Sequence, residues 1–376
     1  MSEELGYQFH PQPDKITDSD VHFGWFLPTW GDTAAFGVST AARPRTLSYF
    51  VKVAQAAEDA GMEYSLVPVQ VNCYEAWITC AMVVANTVKL KSLVAARPQF
   101  FSPAVMAKMI TSFDQLSGGR VLINLIAGGD KAEMLGDGDF IRNNGNWELR
   151  NHDQRYEIMD ESCEIMKQLW VNEKPINYDG KWFHLENSIV QPRPFQNPYP
   201  AFYLGGLSPA AKEVSAKHVN VFLLWGDTHE KIAEEIADVK SYAAKYGREK
   251  DVRFGMRLQV IVRETEKEAW DAAWGLIEHA TDAQRDRAGN TRQESQANLR
   301  VRELTNQEGF RLTCNCQRCQ SMEGGCHLWA GIATVRPGAG VSIVGNPEQV
   351  AETIRGFMDI GCTDFCLSGY PHDEAA

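Results

Sequence analysis

Two arginines sit at the end of, or inside, apolar runs. Arg97 follows the run Leu90 to Ala95 and precedes Pro98, while Arg257 lies inside the run Val252 to Val262. A guanidinium stays charged at any working pH and offers a planar fork of donors, so an arginine at a strand end suits a ligand anion. The competing reading for each is a structural ion pair with a neighbouring carboxylate. At the C-terminal end, Asp364 to Leu367 runs into Ser368-Gly369-Tyr370-Pro371-His372. Tyr370 there could donate a hydrogen bond, and His372 could exchange a proton. Tyr370 could equally be an amphipathic aromatic at a rim.

Gly205-Gly206-Leu207-Ser208 stands just before an expected helix at Pro209 to Lys217. A close-approach glycine turn feeding a helix N-terminus suits a phosphate, because free backbone N–H groups and the helix dipole both favour an anion. His152, Arg155 and Tyr156 open another helix, with an ordinary first-turn packing role as the alternative. Cys73 sits at the start of an expected helix, where the dipole would lower a thiol pKa; its bland alternative is a small apolar filler. Cys314, Cys316, Cys319 and Cys326 put four thiols within thirteen residues, the ligand count of a tetrahedral zinc site. Their spacing is not a standard two-by-two zinc pattern, so unpaired reduced thiols compete with the metal.

The elements that would position these groups alternate. Helical spacing over Leu47 to Ala60, Glu75 to Ala85, Pro103 to Leu116, Asp153 to Leu169, Pro209 to Lys217, His229 to Tyr246 and Lys267 to His279 separates short apolar strands. Strands are expected before Thr29 and at Tyr64–Val67, 90–95, 121–126, 202–205, 219–224, 252–262 and 364–367. Eight strands with intervening helices predict parallel pairing and a (β/α)8 TIM barrel with loop insertions, whose strand C-termini carry the ligand site. An open doubly wound sheet would place a glycine-rich phosphate turn after the first strand, and Leu27-Pro28-Thr29-Trp30 is nothing like one. We expect one domain over 1–376, with an extended arm at 1–20 and a long mobile insertion at about 281–340, where periodicity is lost. No helix is expected after strand eight, so either the chain is truncated or something else seals that strand.

With 376 residues and 44% hydrophobic content, the chain can bury a large core. A net charge of -12 without a basic block argues against a nucleic-acid surface. The N-terminus lacks a secretory pattern and no run approaches membrane-spanning length, so a cytoplasmic protein with no membrane partner is expected. Nine cysteines, an odd number, fit reduced thiols.

Several segments, in order, carry a resemblance: Phe26-Leu27-Pro28-Thr29, Cys73-x-Glu75-Ala76-Trp77, Arg97-Pro98-x-x-x-Ser102-Pro103, Arg155-Tyr156-Glu157, Gly205-Gly206-x-Ser208, Arg257-Leu258-x-Val260, Leu328-Trp329-Ala330-Gly331 and Leu367-Ser368-Gly369-Tyr370. From His22 onward the chain resembles the bacterial luciferase-like superfamily, and within it the FMNH2-dependent alkanesulfonate monooxygenases. The resemblance implies a two-component system: an NAD(P)H:FMN reductase supplies reduced FMN, O2 is consumed, and the C–S bond of a small organosulfur substrate is cleaved. The products would be an aldehyde and sulfite, or a sulfinate from a sulfone. It further implies that Arg97 and Arg257 hold the sulfonate, that Tyr370 and Cys73 lie near the flavin, and that Gly205, Gly206, Ser208, Tyr156 and His152 hold its phosphate. Relatives are usually homodimers or homotetramers. Two departures stand out, since Gln259 and Trp30 occupy positions where these enzymes carry His, and neither can do imidazole acid–base chemistry. A deazaflavin-dependent oxidoreductase of the same superfamily and a flavin-binding protein without turnover remain the alternatives.

Overall fold

A computed structural model of the chain describes residues 21–128, 131–290, 295–322 and 325–375. The expected N-terminal arm at 1–20 lies outside the described residues.

Eight parallel strands form a closed ring: β1 (His22–Phe26), β2 (Tyr64–Val67), β3 (Lys91–Ala96), β4 (Val121–Leu125), β5 (Phe202–Leu204), β6 (Val221–Trp225), β7 (Arg253–Val262) and β8 (Cys362–Ser368). Their order is β6-β5-β4-β3-β2-β1-β8-β7, and pairing of β6 with β7, from Val221↔Arg253 to Trp225↔Arg257, closes it. Helices α1 (Leu47–Asp59), α2 (Ala76–Val84), α3 (Pro103–Ser117), α4 (His152–Val171), α5 (Pro209–His218), α6 (His229–Ala244), α7 (Glu266–Ile277) and α8 (Pro347–Asp359) surround it. The (β/α)8 barrel read from the sequence is therefore the fold.

Local chemistry sets the helix starts. Thr46, Asn151, Ser208, Thr228, Thr265 and Asn346 each accept a hydrogen bond from a first-turn N–H, and three of these caps close reciprocally through Gln154, Glu268 and Gln349. The strands bury both faces, as a barrel wrapped by helices requires. One face packs on the helices. The other fills the ring with Phe26, Tyr64, Leu66, Leu93, Leu122, Tyr203, Val221, Leu223 and Cys366.

Three sequence expectations need correction. The stretch 281–340 is not featureless: it holds helices Asp282–Asn290, Gln296–Leu304 and Gln317–Ser321 and a short strand Leu328–Trp329. That strand pairs with Ser342–Gly345, which itself pairs in parallel with the outer half of β7. These helices escaped notice because the first is polar all round and the others are short. The insertion is also anchored. Arg300 grips Asp227 through Nε at 2.6 Å and Nη2 at 2.9 Å, and the Gln259 side chain donates to the Ala339 carbonyl at 3.0 Å. Second, the stretch between β4 and α4, polar in sequence and expected only as a connecting loop, contains a helix, Lys131–Gly136, and a hairpin of Phe140–Asn143 with Asn146–Leu149. Third, β8 is followed by a short helix, His372–Ala375, whose Asp373 accepts from Lys52 of α1 at 2.6 Å.

Candidate functional site

Alternation along β7 turns Gly255, Arg257 and Gln259 into the ring, and ring closure sets Arg257 beside Cys366 of β8 and Trp225 of β6. The Arg257 guanidinium lies 4.3 Å over the Phe26 ring. Its Nη1 donates to the Leu258 carbonyl at 2.8 Å and to Ser368 Oγ at 2.9 Å. Among the described residues no carboxylate comes within ion-pair reach of it. Burial, reinforced by the nearby charge of Arg336, lowers its pKa.

Arg336 was not singled out in the sequence. It comes from the insertion and is buried over the same ring, 5.3 Å from the Phe26 centroid, 4.5 Å from Trp30 and 5.8 Å from Tyr370. Its only advance signal was membership of the insertion. Two other arginines of the insertion are engaged elsewhere: Arg311 stacks on Trp270 at 3.7 Å, and Arg318 pairs with Asp359 and Glu352.

Tyr370 and His372 join this group. Their rings meet edge-on at 5.0 Å, and both side chains are buried. Burial pushes the Tyr370 hydroxyl up to about 12, although Arg336 and Arg257 pull against it. Asp32, another residue the sequence reading missed, accepts from the His372 backbone N–H at 2.7 Å and lies 3.0 Å from His372 Nδ1, at an ion-pair separation. Tyr49 donates to the same carboxylate. Burial would raise the Asp32 carboxyl, yet His372 and Tyr49 together hold it below its ordinary value. Burial, helped by Arg336 and Arg257, lowers the His372 pKa against the pull of Asp32. The ring is therefore a neutral imidazole at neutral pH. Its Nε2, the Tyr370 hydroxyl, Trp30 Nε1, Arg336 Nε and Gln259 Oε1 are buried without a hydrogen-bond partner among the described residues. Buried polar atoms are normally paired, so five orphans around one barrel mouth mark a place for a polar ligand.

Two expectations for this mouth change. Arg97 does lie at the end of β3, but Nη2 sits 2.5 Å from Glu133 and Nη1 2.7 Å from Asp137, so its charge is already neutralised. The ion-pair alternative describes it, because the helix 131–136 that brings Glu133 was unreadable in a polar loop. Cys73 precedes the α2 N-cap, Glu75, instead of starting the helix. Burial raises its thiol pKa, with Thr29 and Arg336 opposing, where a dipole-lowered value was expected.

The five expected phosphate residues do converge. Gly205 leaves β5 so closely that a Cβ would lie 2.3 Å from the Leu223 carbonyl oxygen, and a Cβ at Gly206 would lie 2.9 Å from Ala211 Cβ and 3.2 Å from the Tyr156 hydroxyl. Ser208 caps α5 by accepting from the Ala211 N–H at 3.3 Å. Burial pushes Tyr156 up to about 12, with the Ser208 hydroxyl opposing, and the His152 ring lies 4.9 Å from the Tyr156 ring. A tyrosine hydroxyl, a serine cap and a helix N-terminus thus meet at a turn open only to glycine, a donor set that fits a flavin phosphate.

The profile of the luciferase-like monooxygenase family matches residues 21–364. Among solved structures, DmoA from Hyphomicrobium sulfonivorans superposes with a TM-score of 0.72 at 18% identity over 93% of this chain and 84% of its own. Riboflavin lyase RcaE, solved with modified FMN and riboflavin, gives 0.71 at 18% identity over 93% and 87%. The coenzyme F420-dependent tetrahydromethanopterin reductase from Methanopyrus kandleri gives 0.62 at 19% identity over 95% and 96%. No helix among the described residues is long and apolar enough to cross a membrane.

Proposed function

The chain belongs to the luciferase-like monooxygenase family, and on that premise we propose that it is an FMNH2-dependent two-component monooxygenase that cleaves the C–S bond of a small anionic organosulfur compound. The observation that carries the reading is the pair Arg257 and Arg336, two buried guanidiniums facing one aromatic ring with no carboxylate in ion-pair reach among the described residues. A buried unpaired charge costs several kcal/mol, so two of them at the ligand end of a barrel point to an anion that neutralises them. A sulfonate brings one negative charge, which offsets one of the two cations, and three acceptor oxygens that both forks can share.

Tyr156, Gly206, Ser208 and His152 would hold the flavin phosphate, and the bound reduced flavin supplies the electrons that activate O2. Arg257 and Arg336 orient the substrate anion over Phe26. The Tyr370 hydroxyl, kept protonated by burial, donates a hydrogen bond at the reacting centre. His372, neutral and steadied by Asp32, can accept the proton lost from the carbon beside sulfur through its free Nε2. This pair provides imidazole chemistry from another strand end, although Gln259 and Trp30 cannot. For a sulfonate the balance is one substrate, one O2 and one FMNH2 giving aldehyde, sulfite, water, FMN and a proton. A separate NAD(P)H:FMN reductase would deliver the flavin.

The test supplies enzymatically reduced FMN, O2 and a panel of sulfonates and sulfones. Sulfite or sulfinate release with matching aldehyde supports the reading. Hydride transfer from a reduced deazaflavin without O2 use, or FMN binding with no product from any member, overturns it.

A further inference from the structure

Three of the four cysteines of the insertion have a partner that their spacing could not reveal. His229, in the first turn of α6, is buried with Nδ1 3.1 Å from Cys319 Sγ, 3.5 Å from Cys316 Sγ and 3.6 Å from Cys314 Sγ. Cys314 and Cys316 Sγ lie 3.4 Å apart, and all four ligand atoms fall within 4.8 Å of one another. A tetrahedral zinc ion with Zn–S near 2.3 Å and Zn–N near 2.0–2.1 Å sets its sulfurs about 3.8 Å apart and its nitrogen about 3.6 Å from each sulfur. The observed separations approach those edges. They are far too long for a disulfide, whose S–S bond is about 2.05 Å.

The surroundings select the ligand atom. His229 Nε2 is 3.0 Å from the Thr353 carbonyl oxygen on α8, an acceptor only, so that nitrogen carries the proton and the Nδ1 lone pair faces the sulfurs. A ring N–H given to a backbone carbonyl is the usual way a metal-bound imidazole is oriented. Cys326, the fourth thiol expected from the sequence, directs its S–H to the Leu312 carbonyl at 3.3 Å and stands beside the set. Cys314 Sγ also donates to Glu230 Oε2 at 2.9 Å, a second tie between the insertion and α6.

We propose that His229, Cys314, Cys316 and Cys319 bind one structural zinc ion, which pins the insertion to α6 and α8. Four protein ligands leave no open position, so the ion is structural and does not activate water. Its work is mechanical. The same insertion delivers Arg336 and Ala339 to the barrel mouth, and the ion supplies binding energy that offsets the entropy of ordering it. This assignment stands apart from the flavin reading and can be tested without turnover.

The experiment is metal analysis of the full chain, purified in reducing buffer without chelator, alongside His229→Ala, Cys319→Ser and Cys326→Ala. One zinc per chain in the wild type and in Cys326→Ala, lost in the other two, is the expected result. Cobalt substitution of the wild type guards against variants that fail to fold: tetrahedral d–d bands with thiolate charge-transfer absorption are expected. Stripping the metal should make limited proteolysis cut within 281–340. Well under one zinc per chain after reconstitution overturns the site. So does full zinc in His229→Ala with loss in Cys326→Ala, which would replace the histidine by the fourth thiol.

Discussion

The imidazole of His372 and the carboxylate of Asp32 lie 3.0 Å apart, although 340 positions separate them. Closure of the ring between β1 and β8, with Trp25 paired to Leu367, brings the two loops together. A titratable pair is thereby built into the seam where the chain meets itself.

That pair sets a pH dependence. Asp32 is held below its ordinary 3.8 and His372 below its ordinary 6.5. A depressed carboxyl contributes stability above its unfolded pKa, and it is lost as pH falls through the folded value. A depressed histidine acts in the same direction, since the unfolded chain takes up the proton first below 6.5. Melting temperature should fall between pH 7 and pH 5, and more steeply below pH 4. His372→Gln should flatten the upper limb. An unchanged slope in that variant would remove His372 from the account.

Arg257→Met should separate activity from stability. Loss of a charge-assisted contact to a bound anion costs about 3 kcal/mol, on the order of 100-fold in kcat/KM. The same change removes an uncompensated buried charge, so the melting temperature should hold or rise. A drop in both quantities would mean that Arg257 serves the fold.

Arg97 should behave in the opposite way. Arg97→Met removes the guanidinium that faces Glu133 at 2.5 Å, both side chains being 5% exposed, and should cost about 3 kcal/mol of stability. Arg97→Met combined with Glu133→Leu should recover much of that loss in denaturant unfolding. No recovery in the double variant would argue against the ion pair.

At the turn proposed for the flavin phosphate, Tyr156→Phe removes one donor and should weaken FMN binding by about 1 kcal/mol, several-fold, in a fluorescence titration. Gly206→Ala should weaken it more, because its Cβ would press on Ala211 and on the Tyr156 hydroxyl. FMN affinity untouched by both changes would place the phosphate elsewhere.

Much of the frame was legible in the chain. Helix starts such as Asn346-Pro347 and Ser208-Pro209, and apolar runs such as Val121 to Leu125, announce themselves because capping and periodicity depend on residues within a turn or two. The glycine turn proposed for the phosphate could be located for the same reason: Gly205, Gly206 and Ser208 directly precede the helix they feed. Motif order along the chain named the family.

Long-range pairing decided the rest. Whether Arg97 or Arg336 offers a free charge depends on which carboxylates the fold brings near, and Glu133 reached Arg97 from a loop with no periodic signal. His229 looked like an ordinary first-turn residue of α6 until the insertion set three thiols against its ring. Local sequence determined where strands and helices form, since those choices are made by neighbouring side chains and backbone groups. Only the closed ring determined which charges cancel and which stay exposed to a ligand, because Coulomb and coordination energies depend on distance in space and are indifferent to distance along the chain.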